Sequence, residues 1–198
     1  HQNVLVNTHA TFRWNHGLFF AFDHDQMAEL DADLYIVMMD NIDRVHYRLQ
    51  RDGHRDHTLK DLMVWREEEI LATELLSQIV RGHGRFYILG RGDDEAPIAG
   101  SPAEGLVRFL DEPRSRTAYL SFPMSHVADS PDVLAEIDTF RREMKRHFIC
   151  FDPGDVEEKY LTQLAIEAAE AGRRTVEVGP PGRKVALETN DLLGITRD

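Results

Sequence analysis

The chain holds a single cysteine, Cys150, among its 198 residues, and one thiol forms no internal disulfide, so a disulfide-stapled scaffold is excluded. It lies in Phe148-Ile149-Cys150-Phe151, a run patterned like a buried strand, and reads as a small core residue. Long apolar runs are also lacking. None reaches ten residues, against the ~20 that span a bilayer, and no signal-peptide pattern opens the chain. A cytoplasmic protein without membrane contact is the expectation. Basic residues are few beside acidic ones, 23 against 35, for a formal charge of −12. That balance repels nucleic acid except where arginines cluster, and it excludes a general nucleic-acid binder. His54 and His57 lie beside Asp52 and Asp56, yet no two histidines form H-E-x-x-H and no cysteine pair exists, so a dedicated transition-metal site is not expected. A phosphate-binding G-x-x-x-x-G-K-[ST] loop is missing from the sequence. The chain opens on His1 rather than Met, and sequence upstream of it is expected.

What is present is an ordinary soluble composition, 42% hydrophobic and 29% charged, with length for one ample core or two small ones. Gln2 to Val6 reads as a short strand and Leu34 to Met39 as another, introduced by Asp31-Ala32-Asp33, with a short helix from His24 to Leu30 between them. Asp40 to Leu49 has helical spacing, with Ile42, Val45 and Leu49 on one face. A long helix follows from about Thr58, its N-cap, to Arg81, ended by Gly82 to Gly84; Phe86 to Leu89 returns as an apolar strand. This alternation predicts α/β architecture with a parallel sheet. Gly90 to Ser101 is loop by composition and marks a seam, followed by a short helix from Ala103 to Leu110. A second α/β pattern comprises a strand from Thr117 to Phe122, a helix from Pro131 to about Arg146, a strand from Phe148 to Phe151 and a helix from about Val156 to Ala171. The tail offers strands at Thr175 to Val178 and Lys184 to Leu187 around a Gly179-Pro180-Pro181-Gly182 turn.

Several groups of residues carry candidate chemistry. Asn7-Thr8-His9 follows the first expected strand, and ligands of open α/β sheets collect at strand carboxyl ends; the alternative is that Thr8 and His9 satisfy backbone groups in a turn. Arg13 and Gly17 lie just beyond. Arg44, Arg48, Arg51 and Arg55 form a basic stretch in an acidic chain. Guanidinium forks match phosphate oxygens bidentately and suit the lid of a phosphoryl-transfer enzyme, whereas the plainer reading is a solvated face with Arg-Asp pairs. Trp65-Arg66-Glu67-Glu68-Glu69 is either a charged group aimed at a nucleotide or simply a polar helix face. In the second half, Ser121 and Ser125 follow a strand, with His126 beside them, and Asp152-Pro153 follows another. The serines also fit helix caps, and His126 an exposed loop.

Residues 3 to 110 resemble a P-loop nucleotide kinase, most closely the archaeal-type adenylate kinases. The resemblance rests on Thr8-His9-Ala10-Thr11, the Gly17 loop, the strand from Asp33 to Met39, the stretch from Arg48 to Arg55 and Trp65-Arg66-Glu67-Glu68. It implies a P-loop kinase-like parallel sheet over residues 1–112, with ATP as donor and Mg2+ as its counterion. It further implies Thr8, His9, Arg13 and Gly17 near the acceptor and Arg48, Arg51 and Arg55 as lid residues in the catalytic role. Asn7 stands where that family commonly has aspartate. Residues 117 to 160 resemble the opening of the nucleoside 2-deoxyribosyltransferase-like fold, which implies a smaller Rossmann-like α/β module over 117–198 with Ser121 and Asp152 near a nucleoside. That family's catalytic glutamate has no matched position; Glu188 is the residue considered, and no nucleophile is assigned.

Three functions follow as expectations: ATP-dependent phosphoryl transfer to a nucleotide or similar small acceptor; cleavage or exchange of an N-glycosidic bond by the C-terminal module; and nucleotide sensing without turnover. The partner in each is a small nucleotide or nucleoside, and a homo-oligomer is compatible with all three.

Overall fold

The computed structural model describes residues 4–14, 17–54, 56–91, 102–111, 116–122, 127, 130–156, 158–179 and 184–195. Arg55, the loop over 92–101, Ser125 and His126, and most of the 179–182 turn lie outside them. The chain is mixed α/β. Its described strands form two-stranded sheets, some of them parallel, and do not form the large kinase-like parallel sheet expected over 1–112. Thr11–Trp14 (β1) and Gly17–Phe20 (β2) pair antiparallel, and so do Thr175–Val178 (β7) and Val185–Glu188 (β8). Thr117–Tyr119 (β5) and Ile149–Phe151 (β6) pair in parallel. Tyr35–Met39 (β3) and Phe86–Gly90 (β4) also pair. The Tyr35 N–H donates to the Arg85 carbonyl and the Arg91 N–H to the Met39 carbonyl, so these two strands run the same way.

Two compact units divide the chain. One comprises 1–37, 42–88 and 158–198, the other 38–41 and 89–157. The first unit is thus discontinuous in sequence, and the reason lies in apolar packing. In the first unit the helix Lys159–Glu170 (α6) buries Leu161, Ala165 and Ala168 along one stripe. β7 and β8 turn Val176, Val178, Val185 and Leu187 inward in period-two alternation. These side chains need cover, and Ile42, Leu59 and Leu62 supply it, joined by Leu192. Ile42 opens the helix Ile42–Arg51 (α2), Leu59 opens Leu59–Arg81 (α3), and Leu192 belongs to Thr189–Ile195 (α7).

The start of α3 is set by local chemistry. The Thr58 hydroxyl accepts the Asp61 N–H at 3.1 Å and the Asp61 carboxylate accepts the Thr58 N–H at 2.9 Å, a reciprocal capping box. Asp191 of α7 takes the next orphan donor, the Leu59 N–H, at 3.0 Å. Gly82, at φ 78°, ends the helix in a conformation that side chains resist. The short helix His24–Leu30 (α1) is tied to the end of α3 through Arg81, which donates to the carbonyls of Asp31 and Ala32.

In the second unit, Pro102–Asp111 (α4) and Pro131–His147 (α5) pack on β6. Phe109 meets Phe151 edge to face at 5.9 Å between centroids. Ile149 is buried and Cys150 partly so, its thiol pushed above the usual range by burial. Among the described residues no helix is long and apolar enough to cross a membrane.

One expected strand is corrected. Val4 to His9 is not strand, and Val4, Leu5 and Val6 lie exposed. The strand begins at Thr11 instead, so Thr8 and His9 precede it rather than follow one. Gly17 is the first residue of β2, opposite Trp14, rather than part of a loop.

Candidate functional site

Glu69, on α3, organises the segment before β1. Its carboxylate accepts the Ala10 N–H at 2.8 Å, the Thr11 N–H at 3.2 Å and the Thr11 hydroxyl at 3.1 Å. His9 Nδ1 lies 3.4 Å from the same carboxylate, and Arg13 pairs with Glu68 one residue earlier. The Thr8 hydroxyl donates to the neighbouring His9 carbonyl. His9, Thr11 and Arg13 are thus held along α3 by an anchor that engages Glu68 and Glu69. Asn7 offers a neutral amide in an exposed segment. No step is derived through magnesium or a polyphosphate. No group of three or more His, Cys, Asp or Glu among the described residues is arranged to hold a metal ion.

The arginines of the expected lid sit on a packed helix. α2 buries Ile42, Asp43 and His46, so Arg48 and Arg51 ride on an element held by the core. Arg51 forks onto adjacent Asp52 at 2.8 and 3.2 Å on the surface. Arg66 makes a bidentate pair with Glu158 at 2.8 and 3.1 Å, and Glu158 also accepts the Ile42 N–H at 2.8 Å, so its role is to join α2, α3 and the start of α6.

A different arrangement marks the second unit, where the carboxyl ends of β3, β4, β5 and β6 all belong. Asp152, immediately after β6, is the centre. Its side chain is 1% exposed, and one oxygen accepts Arg141 Nε at 2.7 Å and Lys145 Nζ at 2.9 Å. The other accepts the Gly154 N–H at 2.9 Å. Lys145 also pairs with Asp155, and Arg141 reaches Asp155 at 3.5 Å and Asp138 at 2.8 Å. Arg141 and Lys145 stand one turn apart on α5, so both cations face the turn after β6.

The two carboxyls are driven in opposite directions. Burial pushes Asp152 up, but hydrogen bonds from Lys145 and Arg141 outweigh it and hold the group below the usual carboxylate range. Burial also pushes Asp155 up, and there it prevails over Lys145. Two glycines make this packing feasible. A Cβ on Gly154 would collide with the Arg141 guanidinium, and one on Gly90, the last residue of β4, would stand 2.8 Å from Asp155 Cβ. The end of β4 therefore abuts the turn after β6. Asp40 and Arg91, just past β3 and β4, approach to 3.6 Å, and Ser121 follows β5 by two residues.

Of the residues singled out in the sequence, Asp152 and Ser121 fall in this unit, and Thr8, His9, Arg13, Gly17, Arg48 and Arg51 in the other. Glu188 is the exposed last residue of β8, also in the first unit. Arg141, Lys145 and Asp155 escaped the sequence reading. The signal was there: an R-x-x-x-K pair on a helix preceding a strand that ends in Asp-Pro-Gly-Asp. Compared with family models, curated proteins and solved structures, the chain matches none.

Proposed function

We propose that the chain binds a nucleoside or nucleotide at the strand ends of its second unit and cleaves or exchanges the N-glycosidic bond. The observation that carries this reading is the pair of neighbouring carboxyls Asp152 and Asp155, oriented by Arg141 and Lys145 at the carboxyl end of a parallel strand pair; strand carboxyl ends are where α/β proteins take ligands. The finer architecture belongs to the same proposal: the parallel pairs β3/β4 and β5/β6 are the elements a Rossmann-like module would use.

Asp155, kept protonated to higher pH, donates its proton to the departing base as the C1′–N bond breaks, and the base leaves with the bonding electrons. Water, or an incoming base, forms the new bond at C1′ and supplies the proton that restores Asp155. Asp152 stays ionised, and its negative charge opposes the positive charge that develops on the sugar. Arg141 and Lys145 hold it in place. In this reading Ser121, two residues past β5, hydrogen-bonds the sugar or base. Phosphoryl transfer rests on the resemblance of residues 3 to 110, and the Glu69 anchor lends it no support.

The test is release of free base from nucleosides and nucleoside monophosphates, followed by chromatography. Wild-type protein is expected to release it, and Asp155→Asn to lose at least about a hundredfold in rate, the ordinary size of a general-acid contribution. Thermal stabilisation by nucleotide with no base released would replace this reading with sensing, and consumption of ATP with mononucleotide acceptors would replace it with kinase chemistry.

A further inference from the structure

The hairpin of β1 and β2 is fastened to the first unit by polar contacts rather than by packing. Of the described residues from Ala10 to Ala21 only Ala10 and Thr11 are buried. None is in the apolar cluster of that unit or among the apolar side chains packed on it, so the hairpin gains little from leaving water. Among the described residues, every hydrogen bond and ion pair found between this stretch and α3 ends on two adjacent carboxylates. Glu69 takes Ala10 and Thr11, and Glu68 takes Arg13. The flanking chain does not share this fastening. Val4 to Thr8 lie exposed before it, and after it the chain bends at Ala21 and Phe22. α1 is then held separately: Asp23 caps it by accepting the Gln26 N–H at 3.0 Å, and Arg81 grips Asp31 at its far end.

We propose that β1 and β2 open and close as one flap on α3, with the Glu69 carboxylate as its latch and the bend at Ala21-Phe22 as its hinge. The ladder makes the two strands a single body. Thr11 to Trp14 face Phe20 to Gly17 in unbroken register, and the Ala21 N–H donates to the Ala10 carbonyl at 3.0 Å. Ala10 therefore joins the ladder to the latch, its carbonyl serving β2 and its N–H serving Glu69. One carboxylate gathers three donors of the flap, with His9 Nδ1 beside it, so these contacts form and break together. Hydrogen bonds to an ionised group outweigh neutral ones, so Glu69 rather than apolar burial sets the balance. An element with few buried apolar contacts belongs to the low end of local stabilities. A two-stranded hairpin is also marginal alone, so once off α3 its ladder frays and both strands report the same opening. Opening uncovers Glu68 and Glu69; closing occupies them.

Amide hydrogen exchange of the full chain, followed residue by residue in low denaturant, tests this. The Ala21 amide decides, because its acceptor, the Ala10 carbonyl, is untouched by any change at Glu69. In the wild type it is expected to be protected at least about tenfold less than the amides of α6, through an opening insensitive to denaturant because little surface is exposed. Glu69→Ala should lower its protection at least about tenfold further. Protection in α6, β7 and β8 should stay unchanged, which also shows that the variant is folded. Thr11→Val, which removes only the hydroxyl contact, should act in the same direction more weakly. An Ala21 amide protected as well as α6 in the wild type, unmoved by both substitutions, or lost only together with α6, overturns the proposal.

Discussion

In the first unit eleven buried apolar side chains form one cluster around α6, β7 and β8. In the second, the buried apolar residues among those described are Leu89, Leu120 and Ile149, and a buried aspartate with two cations occupies the centre. Apolar burial is non-directional and indifferent to pH, so it tolerates reshaped side chains of similar volume. An ionic centre is directional, and its members depend on one another: removing one leaves the others desolvated without compensation. The first unit is thus built for cohesion. The second fixes the orientation of particular carboxyls, which is what a chemical site requires.

The sharpest way to break this comparison is Asp152→Ala. It strands Arg141 and Lys145, and should cost about 3–5 kcal/mol, the usual penalty for breaking a buried ion pair. Denaturant unfolding with probes in each unit should show the loss in the second. Leu161→Ala is its counterpart. Leu161 is 1% exposed, and the cavity should cost about 2–4 kcal/mol, read in the first unit. Equal responses of both units to either substitution would contradict the division.

Acid titration sharpens the contrast further. The lowered titration of Asp152 gives stability that is present above the ordinary carboxylate range, near pH ~4, and lost as pH falls through its depressed folded value. Asp155 acts with the opposite sign. Its raised folded value gives stability that is present below the ordinary range and lost as pH rises through that value. On acidification the second unit should therefore first gain slightly and then lose more steeply, and Asp155→Asn should abolish the early gain. The first unit's cluster contains no titratable member. The smallest effect belongs to Arg51→Ala, which removes an exposed, solvent-screened pair with Asp52; no resolvable shift of the thermal unfolding midpoint is expected.

Much of the secondary structure was legible in the sequence because its signals are local. Thr58 and Gly82 bracket α3, and alternation marks β7 and β8. The first strand was misread because Val4-Leu5-Val6 has the composition of a buried strand, whereas Thr11 to Trp14 alternates polar inward and aromatic outward. Only Glu69, 58 residues along the chain from Thr11, explains that inversion. Asp152 was legible as a polar residue after a strand. Arg141 and Lys145 were not, since their partner is fixed by how α5 packs on β6. The discontinuous first unit was hidden for the same reason: no pattern within β7 or β8 tells which helices will cover them.

The resemblances placed a ligand at Thr8 to Gly17 in one case and at Ser121 and Asp152 in the other. Titration of the full chain with a nucleoside monophosphate, followed residue by residue through amide chemical shifts, separates them directly. Perturbations are expected at Asp40, Gly90, Arg91, Ser121 and Asp152 to Asp155; perturbations confined to Thr8 through Gly17 and Arg48 to Arg51 would overturn the assignment of the site to the second unit.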